Sequence, residues 1–187
     1  VFNSDNQFSN GWSVQKHGPQ ASEWDAVGGT PAFGKSMARW FLPDRRDDLT
    51  FREGWSIGQA IQTPDDTQRT DLIVDDVPYA AAVAVQNTWI AYDDRNLHGF
   101  GWLFGVVGPA ALGEEVQKGF HSLIGSVEPM GWDNQIENEP LLNLYYERKW
   151  KLLRSSFGDL SVGAAGALGN LVTDAEVKVE GRLGWNV

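Results

Sequence analysis

The residue best placed to do chemistry is His121, within the run GEEVQKGFHSLIG from Gly113 to Gly125. Val116, Phe120, Leu123 and Ile124 recur there at helical spacing, Glu114 and Glu115 open the run, and Gly125 closes it. These are the periodicity and the start and stop residues of a short amphipathic helix, one expected to lie in a loop. On such a helix Gln117 stands one turn before His121 and Glu114 two turns before, so the three share a face. An imidazole in that setting can act as a general base, with a carboxylate setting its tautomer. The bland alternative, a surface or packing histidine, is the commoner outcome for this pattern. His17 and His98 have no comparable surroundings.

Other chemistries find less support. The chain contains no Cys, which removes disulfides, thiolate metal sites and a Cys nucleophile, and suits an oxidising compartment. There is no G-x-S-x-G elbow and no zinc-type histidine cluster. Ser9, in FSNGW, reads first as a hydroxyl at a strand start. Paired aspartates at 47–48, 65–66, 75–76 and 93–94 have two readings. Carboxylates can ligate calcium, but beside strand ends they are expected to serve as turn residues. A net charge of −10 repels nucleic acid, so no nucleic-acid partner is expected.

The elements that must position these residues are strands. From Leu49 one face reads Leu49, Phe51, Glu53, Trp55, Ile57, Ile61, and the other Thr50, Arg52, Gly54, Ser56, Gly58, Ala60, Gln62. From Leu142, Leu144, Tyr146, Trp150 and Leu152 alternate with Asn143, Tyr145, Glu147, Lys149 and Lys151. From Glu176, Val177, Val179, Leu183 and Trp185 alternate with charged residues. Alternation of this kind marks strands with one apolar and one polar face. No stretch matches the ~20 mainly apolar residues of a spanning helix, so any membrane crossing must be made by strands.

A soluble sandwich and a membrane barrel both produce two-faced strands. Strand lengths near the ~9–11 residues of a bilayer-crossing strand favour the barrel. So do aromatics towards strand ends, at Trp12, Trp89, Trp102, Trp150 and Trp185, where interfacial girdles belong. Glu53 and Arg148, on the apolar faces, are then expected near a membrane interface. No internal repeat or linker divides the chain.

The run GVVGPAALGEEVQKGFHSLIGSVEPMGWDNQIENEP, Gly105 to Pro140, closely resembles the central signature of the LpxR-like lipid A deacylase family. SDNQFSNGW, IQTPDD and DDVPYA before it, and YERKW, ALGNLVT and RLGW after it, are similar to the family pattern in the same order. The resemblance implies an all-β fold, an antiparallel transmembrane β-barrel of the bacterial outer membrane with one short loop helix. The family barrel is twelve-stranded, and about seven or eight strands are legible here. Residues 1–187 are then a single barrel domain, incomplete at both ends.

The resemblance further implies a calcium-dependent hydrolase that removes the 3′-linked acyloxyacyl group from lipid A, by a mechanism like that of phospholipase A2. Histidine-activated water attacks an ester whose oxyanion calcium stabilises. The partners implied are lipid A or lipopolysaccharide and the surrounding outer-membrane lipid. The family's histidine falls on His121, and its essential hydroxyl, a Thr in the family, falls on Ser9. An orienting carboxylate falls on Glu128, although the family pattern also places it one residue earlier, at Val127. Asn10, Glu114 and Gln117 are expected to touch substrate; no metal ligands are assigned. The family's Asn-Asp pair would lie before Val1. Its absence from these residues motivates a second reading, a non-catalytic structural or interaction barrel of the same lineage.

Overall fold

The computed structural model describes residues 8–28, 32–43 and 48–184, with side chains at all of these except 8–10, 32 and 33. Seven strands follow one another in a single all-antiparallel sheet, each beside its neighbour in sequence. They are β1 (Phe8–His17), β2 (Thr50–Gln62), β3 (Ala80–Tyr92), β4 (Asn96–Val107), β5 (Glu139–Ser155), β6 (Gly158–Gly169) and β7 (Asp174–Leu183). The meander order follows from connection length. Asp93 closes the β3–β4 turn by accepting from the Arg95 and Asn96 amides, both at 2.7 Å, and Ser155 Oγ accepts from the Phe157 and Gly158 amides in the β5–β6 turn. Such short turns leave antiparallel pairing as the only outcome.

Two helices interrupt the meander: α1 (Ala32–Phe41) before β2, and α2 (Gly113–Ile124) before β5. The second is the helix its periodicity predicts. The first is not expected from the pattern. No helix among the described residues is long and apolar enough to cross a membrane.

Contacts divide the chain into two units. The first comprises β1 to Val14, Ser56–Val85 and Phe104–Leu141; its core is Ile61, Tyr79, Ala81, Ala111 and Trp132. The second comprises Gln15–Trp55, Gln86–Leu103 and the chain from Leu142 onwards. Its core joins Phe51 of β2, Trp89 of β3 and Phe100 and Trp102 of β4 to Ala38 of α1 and its neighbour Leu42. Phe41 of α1 stacks on Phe100, with ring centroids 4.5 Å apart and planes within 6°.

That core corrects two expectations. Trp89 and Trp102 do not form an exposed girdle: Trp89 is fully buried and Trp102 nearly so, because α1 and the turn at Trp24–Ala26 cover this face of the sheet. Glu53 is not at an exposed interface either. It is 3% exposed, and its carboxylate accepts from Trp55 Nε1 and Asn87 Nδ2, both at 2.9 Å. A buried carboxylate is tolerable only with such donors. Arg148 places its guanidinium 4.7 Å from the centre of the Trp150 ring, a cation–π contact.

The β5–β7 hairpins are arranged differently. Their polar face carries ion pairs across strands: Lys149 with Glu180, and Asp159 with both Arg182 and Lys151. Asn143, fully buried, closes the β6–β7 turn by accepting from the Leu171 and Val172 amides and donating to the Val172 carbonyl. Gly169 lies against the Leu142 carbonyl so closely that no side chain fits there. The opposite face of β7 shows Val177 and Val179 bare.

Candidate active site

His121 sits in the last turn of α2, and the position of that helix is set by what lies beneath its first turn. Gly113 is pressed between Ala81 of β3 and the Trp132 ring, where a Cβ would lie 2.3 Å from the alanine methyl. Only glycine lets the helix start this close to the sheet. Leu112 turns the chain into α2 at φ 57°, a left-handed conformation that costs a non-glycine residue about 1–2 kcal/mol. At the other end Gly125 takes φ 69°, and its amide and that of Ser126 both bond the His121 carbonyl. This is the glycine stop that the sequence predicts.

Between these ends the helix is tied down by Gln117. Its side chain is 3% exposed and accepts a 2.9 Å hydrogen bond from Trp132 Nε1. Trp132 is itself buried against Tyr79, at a centroid distance of 4.9 Å. The Tyr79 hydroxyl donates to the Thr67 carbonyl, which also accepts from the Met130 amide. Burial holds the Tyr79 phenol above its ordinary range, as desolvation of a phenolate requires. The chain leaving α2 is thereby pinned at Met130–Trp132, and this brings residue 127 back beneath the helix end. Gln117, expected to touch substrate, is instead part of this buried support.

The return of the chain decides the state of His121. Its Nδ1 is hydrogen-bonded to the Val127 carbonyl. A carbonyl can only accept, so Nδ1 carries the proton and, in the neutral ring, Nε2 keeps its lone pair. That is the tautomer a general base needs. The partner expected from sequence was a carboxylate, and none of the predicted ones reaches the ring. Glu114 bonds Lys118 at 2.8 Å and Glu128 bonds the same ammonium at 3.4 Å. The two carboxylates, Glu114 first, raise the Lys118 pKa above its ordinary value.

Ser9 and Asn10 lie in β1, one residue apart, but their side chains are outside the described residues. Among the described residues no three carboxylate or imidazole groups converge as a metal site. One aspartate in each of three pairs acts as a turn residue. Asp66 accepts from the Gln68 amide, Asp76 from the Asp65 and Val77 amides, and Asp93 as given above. Sequence reasoning missed the Val127 carbonyl, Trp132, Tyr79 and Lys118. A main-chain carbonyl leaves no signal in a sequence, whereas Gly131-Trp132, in the segment between α2 and β5, was a legible sign of a buried contact.

The comparisons with known proteins agree with this architecture. The solved structure of LpxR from Salmonella typhimurium matches with a TM-score of 0.58 at 18% identity, over 86% of this chain and 59% of that one. At that identity the likeness carries the fold, and the chain spans just under three fifths of the matched protein. No curated protein matches. The family profile described as outer membrane protein LpxR matches residues 1–187. The chain is therefore a β-barrel protein of the outer membrane, and it belongs to the LpxR family.

Proposed function

We propose that this chain carries the catalytic helix of a lipid A 3′-O-deacylase, a carboxylic ester hydrolase of the outer membrane that removes the 3′-linked acyloxyacyl group. The observation that carries the reading is the His121 ring, held by Val127 in the tautomer that leaves Nε2 free to take a proton. Water bonded to Nε2 loses its proton to the imidazole as its oxygen adds to the ester carbonyl. Collapse of the tetrahedral intermediate breaks the bond to the sugar oxygen, and the imidazolium returns the proton to that leaving oxygen. The Val127 carbonyl keeps the ring oriented and stabilises the imidazolium. Ser9 is proposed to orient water or substrate, with Asn10 beside it; Glu128, paired with Lys118, would orient the ring only on leaving that partner.

Calcium is the proposed cofactor, on the strength of the family resemblance. When bound it would polarise the ester carbonyl; no cluster of three His, Asp or Glu side chains among the described residues marks its ligands. The test is mass spectrometry of lipid A incubated with the full-length protein, with calcium or with chelator, beside His121→Ala. Loss of the 3′ acyloxyacyl group is expected only with calcium and an intact His121. Undiminished cleavage by His121→Ala would sink the reading. The second reading, a non-catalytic barrel, is favoured by one observation: no described carboxylate reaches the imidazole. Intact lipid A from a properly folded full-length protein would decide for it.

A further inference from the structure

The apolar stripe of α2 is covered at one end and bare at the other. Gly113, Val116, Gln117, Phe120, Leu123 and Ile124 fall on one side of the helix at the spacing of a single stripe. Its first half packs on Ala81 and Trp132, and Gln117 is buried there. Its second half overhangs: Leu123 is 82% exposed, and Phe120, Ile124 and, beyond the helix, Val127 and Met130 are exposed with it. The overhang is not a loose end, because Gly125 and Ser126 cap it and Trp132 pins the chain that follows.

We infer that the hydrocarbon of the outer-membrane bilayer covers this overhang, so that α2 lies at the membrane surface with Phe120, Leu123 and Ile124 immersed. Three features of the molecule choose this occupant. The chain belongs to an outer-membrane family, so a lipid phase is at hand. The helix backbone is internally bonded and offers no strand edge to a peptide. The polar side carries Glu114, Glu115, Lys118 and, just beyond, Glu128. Two copies meeting through their overhangs would bring these net-negative sides together, whereas an acyl chain is indifferent to charge. His121 lies at the border between the apolar stripe and the Glu114–Lys118 side. The helix would thus set its imidazole at the depth where lipid esters meet water. That last step rests on the hydrolase reading; the docking itself does not.

The chain has no cysteine, so single labels can be placed cleanly within it. Leu123→Cys and, separately, Ile124→Cys would carry an environment-sensitive fluorophore, with Glu115→Cys and Ser122→Cys as controls on the polar side. Each would be placed in phosphatidylcholine vesicles containing a nitroxide either on the acyl chain or on the headgroup. Labels at 123 and 124 are expected to be quenched severalfold more by the chain nitroxide than by the headgroup one, with the order reversed at 115 and 122. The same order at all four sites would overturn the inference. So would quenching that depends on the ratio of protein to lipid rather than on the nitroxide, the sign of a second copy. Shielding of residue 123 that appears only on addition of an acyloxyacyl lipid would also overturn it, by assigning the overhang to substrate. Repeating the series in His121→Ala separates the two proposals, since immersion is expected to be unchanged when hydrolysis is lost.

Discussion

Two stretches of the sheet carry the same alternation and meet opposite fates. On β2–β4 the face bearing Phe51, Trp89 and Phe100 lies under α1 and is buried. On β7 the face bearing Val177 and Val179 is bare, with Val177 83% exposed. Alternation reports that a strand has two faces; it does not report what covers the apolar one. A protein covering admits buried polar groups such as Glu53, because other side chains can supply donors. A lipid covering admits none, because hydrocarbon donates nothing. The distribution of polar residues on the two apolar faces follows this rule, with Glu53 and Asn87 under α1 and only valine, leucine and small residues on that face of β7.

The contrast can be broken by substitution, and the largest effect is expected under α1. Trp89→Ala should destabilise the folded protein by about 3–5 kcal/mol, the usual range for emptying a buried aromatic site. Val177→Ala should leave stability nearly unchanged, and denaturant titration in vesicles reads both. Equal losses would mean that the two faces are covered alike. Next comes a charge on the bare face: Val179→Lys should cost about 2–4 kcal/mol if the residue meets the bilayer midplane, and less towards an interface. Glu180→Ala, on the opposite face of the same strand, should cost far less. A silent Val179→Lys would show that water, not lipid, meets this face.

Smaller effects sharpen the comparison at the level of single polar groups. Glu53→Ala strands the Trp55 and Asn87 donors and should cost about 1–3 kcal/mol, whereas Glu53→Gln should recover much of it. No recovery would show that the charge, rather than the acceptor, is what the site needs. The smallest effect concerns α2. The Lys118 pKa is raised, first by the Glu114 hydrogen bond, so the stabilisation is fully present below the ordinary lysine value. It is lost only as pH rises through the higher folded value. The ammonium of Lys118, followed by nuclear magnetic resonance, should therefore titrate at higher pH than an exposed lysine, and in Glu114→Gln it should move back down.

The parts of this protein legible in its sequence are those governed by local repetition. Period-two alternation marks β2, β5 and β7, because side chains on a strand must point to opposite faces. Helical spacing closed by Gly125 marks α2, because its stop needs a left-handed residue. α1 was hidden for the converse reason. Ten residues with a glycine among them make a marginal helix alone, and this one exists where Phe41 finds Phe100 to stack on.

The sequence by itself determined that the chain holds two-faced strands and one helix bearing His121, since each of these depends on residues close together along the chain. The tertiary structure alone decided the surroundings of that histidine. It turned Gln117 inward to Trp132, drew Glu114 and Glu128 to Lys118, and brought the Val127 carbonyl to the imidazole. The physical reason is that a hydrogen-bond partner is chosen by where the chain returns in space. Here the return is set by a tryptophan, buried beneath the helix, that no spacing rule connects to His121.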